Sequence, residues 1–359
     1  MKILHVLYSG LGGHGNVFFS MVAADKDAAY EALFVGVEEV REDYISNCRA
    51  LGIPWNFVRK TSGSHFGFLF AVAKAIRKSK AQVIFLHSSI YVPAAKMAVA
   101  LMPGRQKIIV RETQANHLKS DREWLALKMA LRLADKVVFL SKEYNEEISQ
   151  RLSGYYKPAK IAVIPNGIDL TAFQPLSRPP GAVLSIGMQS RIVPIKDHET
   201  LLRAMKLVVS ALPHNTPVLS IAGDGESKLG LERLVIELGL EGKVHFTGML
   251  NEKALTGFLQ SLDIYVHASF GETMSTAIMQ AMACALPIIA SDVKGINNMV
   301  TAGTTALLVP VQDAQALANA MLSLVNDKAA RAQLGSNALA YAQQHFSNHI
   351  MVQKYRQLY

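Results

Sequence analysis

The chain has 359 residues, 50% of them hydrophobic and 18% charged, which excludes a disordered polymer and is too much chain for one comfortable core, so two domains are expected. Cys48 and Cys284 are the two cysteines, which excludes a disulfide framework and suits a reducing cytosol. The formal charge of +9 is uneven: residues 1–170 hold 23 Lys and Arg against 15 Asp and Glu, and the remainder 14 against 13. A basic half beside a nearly neutral half suits an anionic partner. No nucleic-acid motif is present and aromatics do not alternate with the basic residues, so no nucleic acid is expected. An anionic membrane surface, a pyrophosphate-linked acceptor or simply a basic soluble surface all fit. The longest apolar run, Phe66–Ala73, stops at Lys74, too short to span a bilayer. The N-terminus enters a strand without a signal-peptide pattern, so a cytoplasmic protein is expected.

Short apolar strands alternate with amphipathic helices along the whole chain, the pattern of parallel strands covered on both faces. The first half carries strands at KILHVLY, EALFVGV, AQVIFLHS, KIIVRET, KVVFLS and KIAVIP. Helices such as HFGFLFAVAKAIRK and WLALKMALRLA lie between them. The first strand–helix turn, Gly10-Leu11-Gly12-Gly13-His14-Gly15, satisfies G-x-G-x-x-G, with Glu38 and Glu39 just past the second strand. By itself this is a dinucleotide fingerprint and suggests an NAD-dependent oxidoreductase, but any ligand that approaches a turn backbone needs glycines for the same steric reason. Asp25-Lys26-Asp27 spells D-x-D after the first helix. That place suits a helix-end turn, and with no His/Cys ligand spacing elsewhere no metal is expected. The helix at residues 65–78 sets Phe66, Phe68, Leu69 and Phe70 before Arg77, Lys78 and Lys80. Core packing with a solvated tail and a bilayer-facing aromatic cluster both fit it.

The alternation pauses at NGIDLTAFQPLSRPPG, residues 166–181, a Gly/Pro-rich linker. It resumes with AVLSIG, PVLSIAG, KVHFTG, DIYVHAS, PIIAS and TALLVP. SFGETMSTAIMQAMACALPIIASD, residues 269–292, then sets one carboxylate, Glu272, on a turn that opens a small-residue helix. Such a turn offers an acid and helix N-terminal amides to one ligand, as a molecule with hydroxyls at one end and phosphate at the other requires. Arg191 and Lys196 follow the first strand of this half in SIGMQSRIVPIKDHETLLRA. Taken alone, these read as two solvated loop cations.

Together these segments resemble the GT4-type retaining glycosyltransferases of GT-B fold, over nearly the whole chain and most strongly over residues 181–310. The resemblance implies an α/β protein with two Rossmann-like, doubly wound domains facing a cleft, and a C-terminal helix that returns to the first. It implies an acceptor-side domain at residues 1–166, a linker at 167–180, a nucleotide-sugar domain at 181–340 and the returning helix at 341–359. Its implied activity is metal-independent transfer of a hexose from a UDP- or GDP-linked sugar to a hydroxyl of a sugar or lipid-linked acceptor, in polysaccharide or glycolipid assembly. The setting would be the cytoplasm, with peripheral contact at the inner membrane face. No cofactor is implied. The catalytic set carried over is Glu272, His87, Arg191 and Lys196. The donor set adds Gly12, Gly13, Gly223, Thr247, Met249, Thr273, Met274, Ser275 and Gln280, and the acceptor side adds His87, Arg111 and Glu112. Two departures stand out: Gln280 replaces the motif's second glutamate, and Thr273-Met274-Ser275 replaces its Gly-Phe-Gly. A neutral acceptor in place of a charged one costs about 1 kcal/mol at the ribose. A non-catalytic, nucleotide-sugar-binding partner subunit is the alternative this departure raises.

Overall fold

The computed structural model describes residues 1–10, 12–61, 65–177 and 183–359. Leu11 of the glycine turn and the last residues of the linker lie outside the described residues. The chain forms two compact units, Met1–Asp169 with Asn348–Tyr359, and Leu170–Ser347. The described boundaries therefore fall at 169/170 and 347/348.

The first unit alternates β1 (Lys2–Tyr8), α1 (Gly13–Ala24), β2 (Ala29–Gly36), α2 (Glu42–Ala50), β3 (Trp55–Arg59), α3 (His65–Ser79) and β4 (Val83–Leu86). It continues with α4 (Val92–Val99), β5 (Lys107–Arg111), α5 (Asp121–Leu133), β6 (Lys136–Phe139), α6 (Lys142–Arg151) and β7 (Ile161–Val163). The seven strands are all parallel, in the order β3-β2-β1-β4-β5-β6-β7. Growth reverses between β1 and β4, which is where a doubly wound sheet leaves room at its carboxyl edge. Strand β3 has no counterpart among the strands expected from sequence. It is an edge strand paired only with β2, and its residues are exposed or half-buried, so WNFVR carries no buried-strand pattern.

Both sheet faces are covered because the strand residues are apolar on both. Helices α3, α4 and α5 bury Val72, Ala95 and Leu127 on one face against Val6, Ile84 and Val110. Helix α1 packs on the other face with α13 (Asn348–Arg356), the C-terminal helix, whose Met351 and Tyr355 join Leu7, Phe18 and Phe85. The outer side of α3 departs from simple core packing. Phe68 and Leu69 are half-buried, but Phe66 is 82% and Phe70 62% exposed. Lys74, Arg77 and Lys78 continue the same exposed side, and neither α3 nor its neighbour α4 contains an acidic residue.

The second unit repeats the plan with β8 (Ser185–Gln189), α7 (His198–Ala211), β9 (Val218–Ala222), α8 (Lys228–Glu237), β10 (Val244–Gly248), α9 (Glu252–Gln260) and β11 (Ile264–His267). Then come α10 (Thr276–Ala283), β12 (Ile288–Ser291), β13 (Leu307–Val309), α11 (Ala314–Asn326) and α12 (Lys328–His345). The six parallel strands run β10-β9-β8-β11-β12-β13, with the reversal between β8 and β11. All six strands expected in this half are present.

The D-x-D sequence secures the C-terminal helix. Asp25 caps the end of α1 and accepts from Arg356 and from the Tyr30 hydroxyl at 2.8 Å, while Asp27 accepts from Arg356 at 2.7 Å. Burial works against the Asp25 charge, but Arg356, Tyr30 and the Asp27 amide outweigh it and hold its carboxyl below the ordinary range. A depressed carboxyl adds stability above its unfolded pKa, and that stability is lost as pH falls through the folded value. Asp25→Asn should therefore lower the melting temperature most at neutral pH, with the gap to wild type narrowing towards about pH 3, below the ordinary Asp pKa. Thermal melts across pH check this, and a gap independent of pH contradicts it.

Candidate active site

In the second unit, the carboxyl ends of β8 and β11 meet at the reversal point and carry a cluster of hydrogen-bonded polar side chains. Past β11, the loop holding Glu272 is tied to the turn that follows β8. The Phe270 amide and the Ser269 hydroxyl both donate to the Ile195 carbonyl, at 2.9 and 3.1 Å, which seats Lys196 next to the Glu272 loop. Lys196 Nζ donates to Glu272 Oε1, and His267 Nε2 lies 2.8 Å from the same oxygen. Lys196 and Glu272 side chains are only 13% and 12% exposed. Burial disfavours the charge on Glu272, yet the Lys196 ammonium and the His267 contact together bring its pKa down to about 2. The carboxylate is thus ionised and acceptor-only at neutral pH.

Behind Glu272, the Tyr265 hydroxyl lies 3.2 Å from His267 Nδ1 and 3.3 Å from the Gln189 carbonyl, the two contacts competing for its one proton. Ser275, the N-cap of α10, is 3.4 Å from His267 Nε2. On the other side His198, at the start of α7, pairs with the Ser190 hydroxyl at 3.0 Å. Burial, with the neighbouring His267 and Lys196, brings the His198 pKa to about 4, so its ring is neutral.

Three glycines set these loops. Gly223 and Gly225 have φ of +140° and +157°, and a Cβ there would stand 1.8 Å from the Ser190 carbonyl oxygen and 2.3 Å from that of Ile192. Gly223 thus lets two turns touch and so sets the Arg191 turn; Ile192 and Asp224 share a 2.8 Å backbone hydrogen bond. Gly295, with φ +87°, approaches the Glu272 backbone so closely that a Cβ would lie 2.0 Å from its carbonyl oxygen.

The remaining donor-side residues lie as follows. Arg191 is exposed in the same turn as Lys196, and its carbonyl accepts from the Ser190 hydroxyl at 3.1 Å. Gln280, buried on α10, accepts from Gln189 Nε2 at 3.2 Å. Thr273 is half-buried and Met274 buried; the Ser275 amide donates to Met299 Sδ at 3.1 Å rather than pointing to an open site. Thr247 and Met249 are exposed at the end of the edge strand β10. His267, His198, Gln189 and Gly295 were not singled out from sequence, and a strand-end histidine five residues before the motif acid was the one available signal.

The first unit's candidates are placed differently. His87 stands at the end of β4, but both its ring nitrogens face inward: Nε2 is 2.9 Å from His5 Nδ1, and Arg111 Nη1 reaches Nδ1 at 3.5 Å. A guanidinium only donates, so the His87 proton sits on Nε2 and His5 carries its own on a buried, unpartnered Nε2. Burial, reinforced by His5 and Arg111, pushes His87 well below its usual pKa. Both His87 ring nitrogens are thus engaged by groups of the protein itself. Arg111 is likewise buried, donating to Asn166, with the Tyr355 hydroxyl beside it outside regular hydrogen-bond geometry. Glu112 accepts from Ser89 and lies 3.5 Å from buried Lys119, bracing the loop after β5. Neither reaches outward as an acceptor-side residue would.

The glycine turn is also filled largely by the protein. A Cβ on Gly10 would strike Glu38 and Tyr8, and one on Gly15 would strike the Tyr44 ring; Gly12 accepts from the Tyr44 hydroxyl at 3.0 Å. Glu38 accepts from Tyr8 and Glu39 pairs with Arg59, so neither acid is held ready for a ribose. Only at Gly13 is the Cβ position open to 4 Å among the turn's four described glycines. The dinucleotide fingerprint is thus explained by packing. Among the described residues no group of three His, Cys, Asp or Glu is placed to hold a metal.

Two parallel doubly wound units, with an ionised carboxylate and an ammonium at the second unit's reversal point, describe a glycosyltransferase scaffold. Residues 178–340 match the model of glycosyl transferases group 1, and residues 11–172 that of glycosyltransferase family 4. The chain belongs to this GT4-type glycosyltransferase family. It is 29% identical to a D-inositol 3-phosphate glycosyltransferase of Arthrobacter sp. (strain FB24), over 59% of this chain and 53% of that protein, so it spans about half the length of that relative. It is 26% identical to an Escherichia coli UDP-Gal:alpha-D-GlcNAc-diphosphoundecaprenol alpha-1,3-galactosyltransferase, over 72% of this chain and 70% of that one. The fold is GT-B: Anabaena HepE, solved with UDP and glucose, superposes with a TM-score of 0.83 at 21% identity, covering 99% of this chain and 98% of that one. Sucrose-phosphate synthase of Thermosynechococcus elongatus does so at 0.79 and 20%, covering 100% and 98%.

Gly295→Ala tests how closely the Glu272 loop is held. The new Cβ meets backbone rather than a flexible side chain, at a left-handed φ, so a loss of more than about 1 kcal/mol is expected. Chemical denaturation measures it, and an unchanged midpoint contradicts the geometry.

Proposed function

We propose that the protein is a retaining glycosyltransferase that moves a hexose from a UDP- or GDP-linked sugar to a hydroxyl of a saccharide or lipid-linked acceptor. The observation that carries this reading is the buried contact of Lys196 and Glu272 at the β8/β11 reversal point, in the unit matched by the group 1 family model. Loss of a nucleoside diphosphate builds negative charge on its phosphate oxygens. Lys196 and the exposed Arg191 supply positive charge for it, so the chemistry needs no metal. Glu272, ionised and acceptor-only, receives hydroxyls of the transferred sugar. The leaving phosphate takes the acceptor's proton as the new bond forms on the same face. Gln280 keeps one acceptor for the ribose. The activities named for the inositol-phosphate and diphosphoundecaprenol relatives favour a phosphorylated or lipid-linked acceptor for this chain too.

Lys196→Met and Glu272→Gln should each lower kcat about 10²- to 10³-fold, while Gln280→Glu should keep or tighten donor binding. A thermal-shift screen of UDP-, GDP- and ADP-sugars, followed by turnover on an acceptor panel, measures both. Donor binding without any transfer or hydrolysis would favour a non-catalytic binding subunit.

Peripheral contact with an anionic membrane is part of the same proposal, supported by the acid-free α3 and α4 surface with Phe66 and Phe70 outward. Aromatic side chains enter the interface while Lys74, Arg77 and Lys78 meet lipid phosphates. No helix among the described residues is long and apolar enough to cross a bilayer. Co-sedimentation with vesicles containing phosphatidylglycerol should fall at least about tenfold in a Phe66→Ser/Phe70→Ser double variant, with turnover of a water-soluble acceptor unchanged. Equal sedimentation of both proteins contradicts the assignment.

A further inference from the structure

The Lys196–Glu272 contact raises a question that the donor reading does not answer. When a pyrophosphate arrives, Lys196 is the cation best placed to meet it, and the ammonium that now satisfies Glu272 is drawn away. A carboxylate with a side chain only 12% exposed cannot lose its partner and keep its place unless a second donor holds it. The structure supplies one, and it comes from a strand rather than from a mobile loop.

His267 is the last residue of β11, with a side chain 1% exposed, and its Nε2 lies 2.8 Å from Glu272 Oε1. The ring's direction is set from behind. Its Nδ1 lies 3.2 Å from the Tyr265 hydroxyl, whose oxygen is also 3.3 Å from the Gln189 carbonyl, and the two rings stack at 22° with centroids 6.1 Å apart. Because ionised Glu272 only accepts, the neutral imidazole must carry its proton on Nε2 and leave Nδ1 bare, so the single proton of the Tyr265 hydroxyl turns to Nδ1 rather than to the Gln189 carbonyl. The Ser275 hydroxyl lies 3.4 Å from Nε2, and its oxygen accepts from the Ile278 amide as the cap of α10. His198 and Lys196 are the other charged or titratable groups whose fields reach His267.

We propose that His267 is a positioning residue for the donor-sugar carboxylate: its Nε2–H holds Glu272 in place when Lys196 is drawn onto the donor pyrophosphate. The proposal rests on the donor reading of the preceding section. It makes the strand end, through Tyr265 and His267, the fixed point from which Glu272 meets the sugar, and it leaves Lys196 free to follow the phosphate. His267 touches no reacting atom in this scheme. Its effect should therefore appear on the sugar end of the donor and not on the nucleotide end.

Two measurements test this. In ¹⁵N-labelled ligand-free protein at neutral pH, the His267 ring should be the Nε2–H tautomer, with an Nε2 resonance that shifts in Glu272→Ala. An Nδ1–H tautomer, or a resonance indifferent to Glu272, overturns the proposal without reference to any ligand. In calorimetric titrations, His267→Leu should weaken UDP-glucose about tenfold, near what one charge-assisted hydrogen bond is worth, while UDP changes less than about twofold. His267→Gln, whose amide N–H takes the place of Nε2–H, should stay within about threefold of wild type for both ligands. Equal weakening of UDP and UDP-glucose, or no change in either, overturns it. Wild-type protein that binds neither ligand would count against the UDP-glucose donor reading instead, and the tautomer measurement would still decide the role of His267.

Discussion

A carboxylate withdrawn from water at the end of a parallel strand is unstable unless cation and hydrogen-bond donors surround it, and in this chain those donors come from separate loops. Glu272 keeps its charge because Lys196 and His267 share one of its oxygens. That arrangement depends on the backbone more than on the side chains. The Ile195 carbonyl accepts from both Ser269 and Phe270, bringing the two loops together, and Gly295 allows a third segment to run against the Glu272 carbonyl. Gly223 and Gly225 do the same for the turn that carries Arg191. Buried ion pairs contribute little net stability because desolvation offsets the attraction. The contact is therefore better understood as a prepared site than as a brace for the fold.

The first unit shows how differently one topology can be used. It too reverses its strand order next to β1, and it too ends strands on polar residues, yet there the protein fills the space with its own groups. His5, His87 and Arg111 form a buried polar chain on the side of the sheet covered by α1 and the C-terminal helix. Arg111 lies among Asn166, His87 and Tyr355, and burial lowers its pKa. The glycine turn accommodates Tyr44 and Glu38. A motif that satisfies a ligand-binding pattern in sequence can thus serve internal packing, since a glycine makes room for any close neighbour, ligand or side chain.

The surface of this unit carries the chain's charge asymmetry. Helices α3 and α4 bury alanines and β-branched residues and turn their cations and two phenylalanines outward. From sequence, aromatic residues at these spacings fit a core stripe as readily as an exposed one, because the helical period repeats whichever side faces the sheet. Burial of Val72, Ala73 and Ile76 decides it: the small and branched residues face inward, which leaves Phe66 and Phe70 outside.

Periodicity in the sequence was enough to show the alternating α/β plan and all but one of the strands, and the quoted segments carried the family resemblance. Those signals are local, and buried parallel strands are nearly continuous apolar runs. Strand β3 escaped because an exposed edge strand has no such run. The positions of Lys196 and Glu272 were also legible, since each follows a strand end in a recognisable segment. What only the tertiary structure decided is which groups meet. The two residues are 76 apart in the chain, and their contact is created by adjacent pairing of β8 and β11. His267 became visible as the third partner only once its ring had a direction, and the inward contacts of His87 appeared for the same reason. Sequence spacing places a side chain at a strand end, but its facing depends on neighbours contributed by other parts of the chain.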